Sequence, residues 1–539
     1  MRNKIILGII ILAALLLRAV DINNNPPALY GDELTIVLDA NSILKTGKDQ
    51  LGNSFPLTFE MGAGRPAGYV YGSIPFVALF GPTAMGVRGL SIVSGLGLML
   101  LLYFLASKLF SKKVGLISAG LIAISPWDIS LSRGGFEAHF ALFLSLLGLM
   151  LFIFSDKKPH FLILSALSFG LTLHTYPTYK LILPLFLILL IWYKGGLKRL
   201  FIKEIRIQTI LSSVILTVIG ILAASQTFTG GSEVRFGNIN IFSQKQAQET
   251  IIQKINFERS ISTLPSSISK IFHNKGVEHG KILIENYLKN FSMDFLVLHG
   301  DRNPRHNMAT MGEIYFVESI LIIVGFLSFW QKQKKTVLFL FIWLTLAPIP
   351  TAFVDAPHAL RSSFMLPPLI LFSSLGVTTI LNMKNRLVFW AVLLLFVIQL
   401  TFFVQKLYFL APYEYSKFWS YPAKLASKIA QNNMNNFKYI FLSDKIDNIE
   451  FAYPVYAKIE LNGVIQQNKQ KTNIGKYDFK KFDNVYIGYI PDSEIEDFID
   501  NLDGKVLFIG SFEQGKSLAE FETAEGLDKS QALVLKRKQ

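Results

Sequence analysis

Apolar runs of about twenty residues recur along this chain, and each is long enough to cross a hydrocarbon core about 30 Å thick. In lipid such a run has to be helical, because a helix satisfies its own backbone hydrogen bonds. A membrane β-barrel would instead show alternating segments of about ten residues, and the runs here are continuous. Spans are expected near residues 4–20, 83–107, 114–127, 136–154, 160–174, 178–193, 207–224, 312–330, 336–353, 359–381 and 387–405. Composition agrees: only 17% of the 539 residues are charged, against roughly a quarter in soluble domains. The expected fold is mainly α, a polytopic transmembrane bundle of about eleven spans.

The net charge of +15 is not a nucleic-acid footprint, because the basic residues sit in short clusters between apolar runs. That is the positive-inside pattern. Lys108, Lys112 and Lys113, Lys157 and Lys158, Lys194 to Arg206, Lys332 to Lys335, and Lys384 with Arg386 mark one side as cytoplasmic. The N-terminus falls on that side, and residues 21–82, 225–311 and 406–539 fall outside. Arg2 and Lys4 followed by an apolar stretch resemble a signal peptide, but no small-residue cleavage site follows Leu17, so this segment is expected as an uncleaved span. With no cysteine in the chain, thiol chemistry is excluded.

Two units are expected: a membrane catalytic unit over 1–405, with the outer loops 21–82 and 225–311, and an extracytoplasmic α/β domain over 413–539. The second carries strand-like runs at Tyr439–Leu442, Val485–Tyr489, Lys505–Ile509 and Ala532–Leu535, and a helical run near Glu494–Leu502. In the first loop, Leu34, Val37, Leu38 and Leu44 share one face of a helix from Asp32 to Gly47, expected to lie along the membrane surface. The second loop is expected to be helical over Gln244–Phe257 and Gly280–Phe291.

Three groups of residues can carry chemistry. Asp32 and Glu33, in Leu-Tyr-Gly-Asp-Glu, can bind a metal, act as a base, or simply cap a helix and favour its dipole. Glu137 ends the stretch that begins Ser125-Pro-Trp-Asp and runs through Ser-Arg133-Gly-Gly-Phe. An ionisable group opening a membrane helix needs a purpose or a partner, for which Arg133 stands four residues away. The third group is cationic: Arg88, His174, Lys180, His299, Arg302, Arg305, His306, His358 and Arg361, all at expected outer ends of spans or in outer loops. Such cations suit a phosphate, or merely snorkel among headgroups.

Taken together, these residues resemble the polyprenyl-phosphate-dependent glycosyltransferases of GT-C fold, in particular the protein O-mannosyltransferase family and the lipid A aminoarabinose transferases. The resemblance covers roughly residues 1–400 and rests on Asp32 and Glu33, on Arg88 in Val-Arg-Gly-Leu-Ser, and on the stretch ending at Glu137. It implies a multi-pass plasma-membrane enzyme of the cell envelope that moves a sugar from a polyprenyl-phosphate donor to an acceptor hydroxyl on a protein, lipid or glycan. It implies Asp32 as the catalytic carboxylate, Glu137 as the second acidic residue and Arg88 in the donor site; on chemical grounds Asp32 is the expected base, Glu33 joins the catalytic group, and Lys180, Arg302, Arg305, His358 and Arg361 are further candidates for the donor phosphate. Tyr30, Arg65, Arg133, His174, Tyr176 and His299 would touch acceptor or sugar. A divalent metal would be held by Asp32, Glu33 or Glu137. The competing reading is a polytopic transporter or lipid-linked saccharide flippase, which predicts charges at mid-membrane and broken helices in matching halves.

Overall fold

The computed structural model describes residues 2–60, 64–200, 202–229, 245–354 and 357–539. Each of the eleven expected apolar segments falls on a helix. Among the described residues, six helices are long and apolar enough to cross a membrane, and a bent pair would make seven. Four further apolar helices are shorter: Gly68–Phe80, Phe161–Leu173, Tyr179–Tyr193 and Phe316–Trp330.

The first nine helices are α1 (Arg2–Ala19), α2 (Gly31–Thr46), α3 (Gly68–Phe80), α4 (Ala84–Leu109), α5 (Lys112–Ile124), α6 (Pro126–Ser132), α7 (Glu137–Phe154), α8 (Phe161–Leu173) and α9 (Tyr179–Tyr193). The bend between α5 and α6 measures 59° and has a local cause. Pro126 has no N–H to continue α5, and the Ser125 hydroxyl accepts from the Asp128 N–H to start α6. A buried charge group pins the corner: Arg18 of α1 pairs with Asp128 at 2.5 Å, and His139 of α7 meets the same carboxylate at 2.9 Å. Arg18 also donates to the Ala123 and Ile122 carbonyls at the break.

α2 is not the surface-lying amphipathic helix that its pattern suggests. Every residue from Glu33 to Ile43 is buried. One side of α2 packs on α3 and the start of α4, and the other on the helix Ile449–Tyr456 of the C-terminal domain. Its polar face is covered by protein, so the apolar stripe alone misjudges its surroundings. The long second loop carries helices at Lys245–Ile261, Ser266–Phe272 and Lys275–Lys289, the first and last joined through Lys254 and Glu278 at 2.6 Å. The expected start at Gln244 lies outside the described residues.

The first loop holds a two-stranded ribbon, β1 (Thr58–Phe59) and β2 (Arg65–Pro66), and the C-terminal domain is built on a seven-stranded sheet of strands β3 (Tyr439–Ser443), β4 (Thr472–Ile474), β5 (Tyr477–Phe482), β6 (Val485–Gly488), β7 (Val506–Ser511), β8 (Glu522–Glu525) and β9 (Gln531–Lys538), in the order β4-β5-β6-β3-β7-β9-β8. The parallel centre, β6-β3-β7, is an apolar run buried on both faces. One of those faces shares its apolar core with α2 and α3, so the two units are joined by one continuous core. Three hydrogen bonds add to the join: the Leu29 N–H donates to Tyr456 Oη, Lys424 Nζ to Pro27 O, and Asn468 Nδ2 to Gln50 O.

Candidate active site

Asp32 and Glu33 both sit in the first turn of α2, whose N-cap position belongs to Tyr30 and carries no side-chain cap. Successive helical residues point about 100° apart, so the two carboxylates enter different surroundings.

Glu33 turns inward. Its Oε1 accepts from Arg88 Nε at 2.7 Å and from the Gly135 N–H at 2.8 Å, and its Oε2 accepts from Arg88 Nη2 at 2.8 Å. Gly135 makes this possible: a Cβ there would stand 3.0 Å from Val87 and 3.1 Å from Glu33 itself. Arg88 directs its remaining N–H groups to the carbonyls of Ile22, Pro26 and Ala28, and the Trp419 ring covers its guanidinium at 5.3 Å. Both side chains are fully buried. Arg88 therefore has no donor left for a phosphate, and Glu33 no oxygen for a metal or a substrate. These two expectations are corrected: the pair ties α2 to α4 and to the segment before α2.

Asp32 turns the other way and keeps 44% of its side chain exposed. Its Oδ1 accepts from Arg65 Nη2 at 2.5 Å, and its other oxygen has no hydrogen bond among the described residues. Arg65, expected to touch sugar, is fully buried and bridges the two candidate acids, its Nε lying 2.7 Å from Glu137 Oε1. Its Nη1 donates to Thr35 Oγ1 at 2.7 Å. Burial opposes the guanidinium's charge, but Asp32 and Glu137 outweigh it and hold its pKa above the ordinary arginine value. Glu137 thus pairs with Arg65 and not with Arg133. The guanidinium also occupies the place between Asp32 and Glu137 where a bridging cation would stand, so these residues do not fit a shared metal.

Arg65 lies on a short strand paired with Thr58–Phe59. Just beyond it, the Gly68 N–H donates to the carbonyl of His174 at 2.9 Å. A Cβ on Gly68 would meet Thr175 Oγ1 at 2.3 Å and that carbonyl at 2.9 Å, so the close approach requires glycine.

Tyr30 links the acids to the cations. Burial first, then the charges of Asp32, Glu137 and Glu33, push its phenol well above the ordinary value, so it stays protonated. The Arg305 guanidinium lies over its ring at 5.2 Å. Phe136 packs against Tyr30 at 6.0 Å and against His306 at 5.8 Å. His306 and His358 stack at 4.6 Å around Asp301. The structure thus brings Asp32, Arg65, Glu137, Tyr30, Arg305, His306 and His358 together at one end of the bundle, with Arg361 close enough to His358 to oppose its protonation. Neither Arg305 nor Arg361 forms an ion pair among the described residues.

Other expected residues do not join this group. Arg133 is buried and holds the carbonyls of Leu17, Val20 and Asn25 and the Tyr408 hydroxyl, so it is no sugar contact. Lys180 donates to the Ala223 carbonyl, tying α9 to the helix Arg206–Thr229. His174 offers its backbone to Gly68, and Tyr176 is buried in the bundle core. His299 points to Asp294 at 2.5 Å from an exposed position. Arg302 is exposed, with no side-chain hydrogen bond or ion pair among the described residues. His358 is not the fixed cation expected: burial, then His306 and Arg361, hold its pKa well below the ordinary imidazole value. Sequence reasoning passed over Asp301 as an acid among cations. Burial opposes its ionisation, yet the hydrogen bond and charge of His306 lower its pKa to about 2. The signal for it was the carboxylate inside the His-Gly-Asp-Arg-Asn-Pro-Arg-His run.

Residues 69–222 match the family described as dolichyl-phosphate-mannose-protein mannosyltransferase. No curated protein sequence matches the chain. Among solved structures, ArnT from Cupriavidus metallidurans, in the apo state and bound to undecaprenyl phosphate, is similar over 99% of this chain and 97% of its own, with a TM-score of 0.56 at 10% identity. The Archaeoglobus fulgidus oligosaccharyltransferase tethered to an acceptor peptide is similar over 95% of this chain and 69% of its own, with a TM-score of 0.50 at 13% identity. These likenesses show the GT-C fold, and the family match covers residues 69–222 of it.

Proposed function

We propose that this chain is a glycosyltransferase that moves a sugar from a polyprenyl-phosphate donor to an acceptor hydroxyl on the non-cytoplasmic side of the plasma membrane. The observation that carries the reading is Asp32: a half-exposed carboxylate with one oxygen held by Arg65 and the other uncommitted. The acceptor hydroxyl gives its proton to that free oxygen as its own oxygen attacks the anomeric carbon. The bond from the anomeric carbon to the phosphate oxygen breaks, and the lipid phosphate leaves with the electron pair. Arg305 and Arg361, uncommitted to any carboxylate among the described residues, face the charge that develops there. Arg65 fixes the base, Glu137 shares the guanidinium, and Tyr30 stays a neutral donor at the edge of the site. A single displacement inverts the anomeric configuration, whereas a retaining route would need a nucleophilic carboxylate as well.

The test is reconstitution of the full chain in liposomes with sugar-labelled polyprenyl phosphates and, separately, nucleotide sugars. Sugar transfer from the lipid phosphate alone, with an inverted product anomer by NMR, is expected. Transfer from a nucleotide sugar overturns the donor, and a retained anomer overturns the mechanism. Movement of the intact lipid between leaflets without cleavage would instead favour the transporter reading.

A further inference from the structure

Outside the acidic pair, the described residues contain one group of side chains with the geometry of a metal site: Asp301, His306 and His358. We infer that these three residues bind a divalent transition-metal ion of the zinc class. Their three ligand atoms all lie within 4.8 Å of one another. Asp301 Oδ2 is 3.0 Å from His306 Nδ1 and 3.6 Å from His358 Nδ1. Bonds of about 2.0–2.1 Å to a tetrahedral ion place neighbouring ligand atoms about 3.3–3.4 Å apart, and the two observed separations bracket that edge.

The site is built as well as spaced. Asp301 is fixed at both oxygens by backbone donors, the Asn303 N–H on Oδ1 at 2.9 Å and the Ala359 N–H on Oδ2 at 2.8 Å. Its own N–H is held by Glu313 Oε1 at 2.9 Å. Such outer contacts orient a ligating carboxylate. His358 Nδ1 is buried and has no hydrogen-bond partner among the described residues, since 3.6 Å to Asp301 exceeds a hydrogen bond. A buried nitrogen that faces a carboxylate oxygen without bonding to it is placed to share an ion with it. Two imidazoles and one carboxylate suit zinc over magnesium or calcium, which prefer all-oxygen shells. The side chains of His306 and His358 remain 12% and 20% exposed, so a fourth position stays open to a water or a ligand oxygen. An ion here would add a fixed positive charge beside Arg305 and Arg361. The inference does not depend on the sugar-transfer reading, because it is tested on the resting protein.

The test is metal content. Full-length protein purified without chelator, incubated with Zn2+ and desalted, is expected to hold about one zinc per chain. The Asp301→Ala and His306→Ala variants are expected to hold at least tenfold less, and Asp32→Asn to keep the full equivalent. Reloading wild type with Co2+ is expected to give the intense visible bands of a tetrahedral nitrogen and oxygen site. If a variant fails to fold, competition between wild type and a chromophoric chelator decides: retention of zinc supports the site, and complete loss to a weak chelator overturns it. Equal zinc in wild type and in folded His306→Ala, or a Co2+ spectrum like that of the aqueous ion, would overturn the site and leave one Asp301–His306 hydrogen bond with the His358 ring packed on His306.

Discussion

Two arginine–carboxylate contacts stand one helical step apart in this molecule, and they end in opposite states. Around Glu33 and Arg88 every donor and acceptor is satisfied by protein and the pair is sealed under Trp419. Around Asp32 and Arg65 the guanidinium is equally buried, but one carboxylate reaches solvent with an oxygen to spare. The chemistry is the same, and access alone separates a brace from a site. A fully satisfied buried pair specifies the local structure, while a half-satisfied one at a surface can still take a proton or meet a substrate.

The comparison breaks most easily at the sealed pair. Replacing Glu33 with Gln or Arg88 with Met leaves the other partner buried and uncompensated, at a cost of about 3–5 kcal/mol. Thermal unfolding in detergent should show this as a fall of roughly 3–4 °C for a chain of this length, with activity lost in step with folded protein. Full stability with no activity in Glu33→Gln would return Glu33 to the chemistry. At the open pair, Arg65→Lys keeps the charge but cannot bridge Asp32, Glu137 and Thr35 at once. A ten- to hundredfold loss of transfer is expected, about 1.4–2.7 kcal/mol, with a smaller stability change than at Arg88; an unaltered kcat would show that the bridge is incidental.

Gly68→Ala sharpens the same point from the backbone. The new methyl meets Thr175 and the His174 carbonyl, and overpacking of this kind costs about 1–3 kcal/mol. Since the strand carrying Arg65 is tethered there, transfer should fall even in the folded fraction.

The smallest effect concerns Asp39, which lies one turn further along α2 from Arg65's partner Thr35. Its Oδ2 has no hydrogen-bond partner, and burial, opposed by bonds from Gln50, raises its pKa to about 7. A carboxyl whose folded pKa is raised binds more protons folded than unfolded, so its contribution to stability falls as pH rises from about 4 to 7. Asp39→Asn should therefore gain about 1 kcal/mol or more over wild type at pH 8 and nothing near pH 4. Unfolding curves at the two pH values check the sign, and a gain at both would contradict it.

The apolar runs were legible because lipid-crossing helices carry their signal in length and composition, and all eleven appear as helices. The apolar strands β3, β6, β7 and β9 were legible for a similar reason, whereas β4 and β8 are short, polar edge strands with no pattern to read. Asp32 and Glu137 stood out as ionisable groups in apolar surroundings. What spacing does not carry is direction. Nothing in the sequence says that Asp32 faces Arg65 while Glu33 faces Arg88, because a 100° turn of α2 separates them. Nor does it say that Arg133 would be consumed by the carbonyls of Leu17, Val20 and Asn25, since those are freed only by how the chain leaves α1. The meeting of Asp301 with His358 is likewise a product of tertiary packing.

In the proposed reaction Asp32 removes the acceptor proton, from a site that folds without its charge. The direct measurement is transfer from a polyprenyl-phosphate sugar by Asp32→Asn beside wild type, with thermal unfolding recorded on the same preparations. A loss of about 10²-fold or more is expected, with an unfolding midpoint close to that of wild type. Near-normal turnover by the Asn variant would contradict it.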